Sequence, residues 1–175
     1  MEMEDKIKAE LRQYLTRRGY LDERMPVCPD VEDRWQSIAQ DYLPDGVREF
    51  NGYPTVSLGW MMFIGMAVAR FWDEDWERYS AMESLYESLR DKRGFDNMDD
   101  YILEEVLSLN EEEKRQVSGM VSECAARTYN ILRHEPLEPG TPEAFKAYVV
   151  CLRLLYNTGM AVQLNRMDYH MTKVD

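Results

Sequence analysis

The sequence predicts an all-α, single-domain bundle of about six helices around two buried ones, a central helix over 54–72 and a C-terminal helix over 142–164. Three observations carry that expectation. The run from Val56 to Ala69 has no charge, and its large side chains (Trp60, Met61, Met62, Phe63, Ile64, Met66, Val68) point to every side of a helix. Most other segments repeat apolar residues three and four apart. Prolines, glycines and capping residues punctuate those segments, and nothing alternates as a half-buried strand does. The stretch YVVCLRLLY has β propensity but lies inside a longer helical period.

In chain order, Ile7, Leu11, Tyr14 and Leu15 form the buried stripe of a first helix that ends near Gly19. Two prolines in YLDERMPVCP make the next segment a surface connector. Asp30 is expected to cap a second helix with the stripe Val31, Trp35, Ile38, Ala39 and Tyr42, and Pro44 to stop it. Residues 45–53 read as loop, with Val47 and Phe50 as one apolar pair. Pro54 suits the first turn of the central helix, where its missing N–H would be unpaired anyway. The uncharged run falls short of the roughly 20 residues a bilayer needs, and Arg70, Asp73, Glu74 and Asp75 close it. A buried core helix is therefore expected, with no membrane partner.

After Trp72 the pattern becomes one-sided, through Trp76, Tyr79, Met82, Leu85, Tyr86 and Leu89. No proline forces a break, so the helix is expected to run on to Arg93 rather than bend at Asp73–Asp75. Gly94 ends it, and Asp96 with Asp99 is expected to cap a short helix through Leu109. Asn110 with Glu113 opens a longer helix that buries Val117, Met120, Val121, Cys124, Ile131 and Leu132. Thr141-Pro142 starts the last helix, with Phe145, Tyr148, Val149, Leu152, Leu155, Tyr156, Gly159 and Met160 on its buried stripe. The polar tail after Asn165 is expected to fray.

Gly-Met-Ala-Val occurs at 65–68 and again at 159–162, in the two most apolar helices, at an offset of 94 residues. The echo suggests two pseudo-equivalent halves, 1–93 and 95–175. Independently of that, Gly65 and Gly159 remove the bulk that keeps helices apart and mark a close crossing.

A formal net charge of -12 repels phosphates, which excludes nucleic acid and anionic membranes as natural partners. The start, MEMEDKIKAE, carries no apolar secretory segment. Cys28, Cys124 and Cys151 match no zinc spacing and read as reduced, buried thiols of a cytoplasmic protein.

The most concentrated candidate site is Trp72-Asp73-Glu74-Asp75-Trp76. Indole faces attract cations and carboxylates bind them, so Trp72, Asp73, Asp75 and Trp76 are the candidate ligand-binding residues. The plainer expectation is that the two tryptophans, four apart, share a buried face while the acids meet water. Glu74–Glu77 and Asp96–Asp99 form two acidic pairs of the kind metal-dependent phosphate chemistry uses. One continuous helix between them would hold them up to about 28 Å apart. His134 and His170 lie near expected helix ends, where a capping imidazole is the usual case. No nucleophile motif, phosphate loop, metal-ligand set or cofactor-binding signature occurs, so no catalytic residue, metal or cofactor is assigned. The functional expectation is a non-catalytic protein-interaction module or homo-oligomer. The alternative is a small-molecule ligand or a metal-dependent activity at the acidic and aromatic site.

Overall fold

The computed structural model describes residues 2–22 and 24–169, and at its centre two helices cross, α4 (Pro54–Ser80) and α8 (Pro142–Arg166). A Cβ added to Gly65 would overlap the carbonyl oxygen of Tyr156 and lie 3.2 Å from the Met160 nitrogen. A Cβ on Gly159 would overlap the carbonyl oxygen of Met62 and lie 3.2 Å from the Met66 nitrogen. The contact is thus reciprocal, with positions 62, 65 and 66 of one helix playing the parts of 156, 159 and 160 of the other. Backbone meets backbone there, which only glycine permits. Both helices are buried on most sides: α4 from Ser57 to Phe71 apart from Trp60 and Arg70, and α8 from Leu154 to Leu164 apart from Asn157. Among the described residues the structure is all-α, 78% helical with no strand, and eight helices pack against each other. α4 is long and apolar enough to cross a bilayer, but 72% of its most apolar window is buried inside the protein.

The remaining helices wrap this pair. They are α1 (Glu2–Arg17), α2 (Pro29–Glu32), α3 (Trp35–Gly52), α5 (Leu85–Arg90), α6 (Met98–Tyr101) and α7 (Glu111–Arg133). α1 packs on α7 and α8, while α3 and α7 pack on α4. Several expected boundaries hold. The Asn110 side chain accepts from the Glu113 N–H at 2.8 Å and the Glu113 carboxylate from the Asn110 N–H at 3.0 Å, a complete capping box. Thr141 Oγ1 accepts from the Ala144 N–H at 3.2 Å, with Pro142 in the first turn.

Five expectations are corrected. Pro44 lies inside α3 and does not end it, so residues 45–52 are helical rather than loop. The carbonyl that proline leaves unpaired belongs to Gln40, which like Pro44 is on the exposed side where water can reach it. Cys28, not Asp30, precedes the first turn of α2, and the chain turns at Asp33 before α3 starts at Trp35. The helix after Trp72 bends at Asp75 and ends at Ser80. Ser84 then caps the separate α5 by accepting from the Glu87 N–H at 3.1 Å. Asp96 caps nothing; residues 95–106 pass from a tight turn through α6 into a wider one, closed by Leu107 N–H to Ile102 O at 2.8 Å. Phe145, in register with the buried stripe of α8, is itself 47% exposed. His170 and most of the tail expected to fray lie outside the described residues.

Candidate functional site

Asp75 interrupts α4 with an extended backbone (φ -166, ψ 76), and its Oδ1 accepts from the Arg78 N–H at 3.3 Å, capping the last turns. The bend leaves Asp73, Glu74 and Asp75 exposed and the two tryptophans half-buried. Trp72 donates its indole N–H to Asp30 at 2.9 Å and meets Tyr169 edge-on at 5.3 Å. Asp73 accepts from the Tyr169 hydroxyl at 2.7 Å and pairs with Arg70 at 3.3 Å. That hydrogen bond and the Asp73 charge push the Tyr169 hydroxyl pKa up. The Arg34 guanidinium lies over the Trp76 ring at 5.5 Å. Two cations of the chain itself, Arg70 and Arg34, thus lie against this stretch. Trp76 borders an open polar hollow of about 520 Å³ with Asp30, Asp33, Arg34 and Ser37, whereas Asp73 and Asp75 do not line it.

The other candidate residues also have local roles. His134 is the last residue of the α7 turn, with Nδ1 2.6 Å from the Asn130 carbonyl. Burial pushes the thiols of Cys124 and Cys151 up to about 12 and raises Cys28 as well, which leaves all three un-ionised. The two acidic pairs are not joined by one helix, since the chain turns between α4 and α5, so the 28 Å spacing does not apply. Among the described residues no group of three or more His, Cys, Asp or Glu is placed to hold a metal ion.

A different surface stands out once the chain is folded. Two adjoining hollows of about 250 and 320 Å³ lie between α3, α7 and the start of α8, and share Phe50, Pro139, Ala144 and Tyr148 as walls. Phe50 packs on Tyr148 at 4.7 Å between ring centres and meets Tyr129 edge-on at 6.0 Å. Val47 and Phe145, 38% and 47% exposed, flank the second hollow, and Leu137 lines the first. Helical residues 45–52 create this wall: as a loop, Val47 and Phe50 would not be held one turn apart.

The floor of the groove is fixed by a buried hydroxyl network. Ser57 Oγ donates to the Gly46 carbonyl at 2.8 Å, so at the 2.5 Å contact with Tyr148 the phenol must be the donor. Tyr42 donates to the Ser57 carbonyl at 2.5 Å. A Cβ on Gly46 would overlap the Tyr42 ring and sit 2.8 Å from the Tyr148 oxygen. Burial pushes the Tyr148 hydroxyl up to about 12 and Tyr42 well above its ordinary value, so both stay protonated and act as ties between helices. Behind them, Tyr86 and Arg90 donate to Asp45 at 2.6 and 3.2 Å. Burial alone would raise the Asp45 pKa, but those hydrogen bonds and the guanidinium charges of Arg90 and Arg48 outweigh it and hold the carboxyl below its usual range.

Sequence reasoning missed Val47, Phe50, Tyr129, Phe145 and Tyr148 as a common surface. The only signal was the apolar pair Val47 and Phe50 in an otherwise polar stretch. Compared with known protein families, curated proteins and solved structures, the chain matches none.

Proposed function

We propose that the chain is a non-catalytic protein-interaction module, working in the cytoplasm, that takes an apolar side chain of a basic protein partner into the groove between α3, α7 and α8. The observation that carries this reading is the exposure of Phe145 and Val47 beside a floor of interlocked aromatic rings. Covering a side chain of that size gains about 1.5–3 kcal/mol, and aromatic residues are enriched at interfaces for that reason. The partner's basic character follows from the net charge of -12, which attracts cations at long range and repels a second copy of the chain. Cytoplasmic placement rests on the three free thiols, which a reducing compartment preserves. The alternative, a ligand or metal site at Trp72, Asp73, Asp75 and Trp76, has no observation in its favour. Those side chains already hold Asp30, Tyr169, Arg70, Arg34 and the Arg78 N–H.

The test is a photo-crosslinking amino acid placed at Phe145 in the full chain, inside the expression host, with Glu4 as a control position on α1. The reading expects one dominant adduct with a basic protein at Phe145, absent at Glu4 and lost when Phe50→Asp is added. Equal labelling at both positions, or an adduct that persists with Phe50→Asp, would contradict it.

A further inference from the structure

α1, the connector that follows it and α8 enclose a cavity of about 230 Å³ that shares no residue with the groove or with the 72–76 stretch. Its apolar walls are Leu11, Leu15, Leu21, Met25, Val27 and Leu154. An apolar cavity of about 150 Å³ is enough to take benzene, so this one takes an apolar body of about eight to ten carbons. It is smaller than the sites that enclose drug-sized ligands, which points to a short chain or a single ring.

Two observations fix the polar part of the ligand. The charged side chains that border the cavity are already engaged within the protein: Lys8 pairs with Glu4 at 3.5 Å, and Arg12 and Glu32 have partners as well. An ion entering here would lose its hydration without gaining an unpaired opposite charge, so the ligand is neutral. The other observation concerns α8, which supplies Asn157 and Thr158 to the lining. The Thr158 hydroxyl donates its proton to the Leu154 carbonyl at 2.6 Å, which leaves only lone pairs on that oxygen. Asn157 Oδ1 is a buried acceptor with no hydrogen-bond partner among the described residues, an arrangement that native interiors avoid. Both oxygens call for a donor. The terminal torsion of an asparagine is soft, so the Asn157 amide can turn toward a donor held in the cavity. A hydroxyl supplies that donor and can also accept from the amide N–H.

We infer that this cavity binds a neutral apolar molecule carrying one hydroxyl, its apolar body among Leu11, Leu15, Met25 and Leu154 and its hydroxyl donating to Asn157 Oδ1. Calorimetric titration of the full chain with para-propylphenol, with its methyl ether and with para-propylbenzoate tests this. The ether keeps the apolar body and an acceptor oxygen and loses only the donor; the benzoate replaces the donor with a charge. The phenol is expected to bind saturably at one site with an affinity that does not change with salt, the ether about tenfold more weakly, and the benzoate not measurably. Asn157→Leu brings the phenol down to the affinity of the ether and leaves the ether unchanged. That variant melts no lower than the parent, because an unpaired buried acceptor gives way to an apolar group of similar size. Met25→Trp and Val27→Trp fill the cavity from the half-buried connector and abolish binding of phenol and ether alike; thermal melts identify which of the two is folded and read. Absence of saturable phenol binding, equal affinity for phenol and ether in the parent, a phenol preference that persists in Asn157→Leu, or binding that survives the folded tryptophan variant would overturn the inference.

Discussion

Gly65 and Gly159 face each other across the α4–α8 crossing, and neither position has room for a Cβ. What each would strike is main chain, the carbonyls of Tyr156 and Met62, so no side chain can rotate away to make space. The Gly-Met-Ala-Val echo has a physical basis in this reciprocity, since each helix must present the same small step to the other.

Gly65→Ala therefore costs more than about 3 kcal/mol, beyond the usual overpacking range, because whole helices must separate. Gly119 provides the control: it is an exposed helical glycine with nothing within 4 Å of its would-be Cβ. Gly119→Ala should stabilise by about 0.5–1 kcal/mol. Urea denaturation of the two variants beside the parent gives both numbers.

Pro44 separates two accounts of α3. If it were a helix terminator, replacing it would gain nothing. Inside a helix, Pro44→Ala restores an N–H to the Gln40 carbonyl, and stability rises by about 1 kcal/mol after the unfolded-state entropy of proline is lost. The thermal midpoint of that variant decides between them.

Asp45→Asn breaks the charge-assisted bonds from Tyr86 and Arg90 and costs about 1–3 kcal/mol at neutral pH. The acid side carries a second signature. The folded-state pKa of Asp45 is depressed, so its contribution is fully present above the unfolded value and disappears as pH falls through the folded one. The parent should lose stability below about pH 4, and the variant should show a shallower loss over the same window. Chemical denaturation at a series of pH values reads the slope.

Asp75 acts as a cap at the α4 bend. Asparagine caps as well as aspartate, so Asp75→Asn changes stability by less than about 0.5 kcal/mol while Asp75→Ala costs about 1 kcal/mol. An equal loss for both would mean that the charge, not the cap, is what matters there.

The core is legible in the sequence because an uncharged run that is apolar on every side must be covered on every side. The cap at Asn110 is legible because its partner Glu113 stands three residues on, and the one at Thr141 because Pro142 follows it. Ser84 with Glu87 carries the same signal, and it, not the surrounding stripe, sets the boundary before α5. Pro44 misleads because a local rule against helix yields where the orphaned carbonyl faces water. Trp72 and Trp76 at helical spacing with intervening acids look the same whether the cation comes from outside or from Arg34 and Arg70. The groove was hidden for a similar reason. Phe145 sits in register with a buried stripe, and periodicity does not say where along a helix the covering layer stops.

We propose that the surface around Phe50 and Phe145 holds a basic protein partner, and native mass spectrometry on gently purified protein is the sharpest check. The expected spectrum shows a complex of the 20.7 kDa chain with a basic protein that weakens with salt and is absent for Phe145→Ser. A bare chain or a simple multiple of its own mass, or a complex that Phe145→Ser leaves intact, would contradict it.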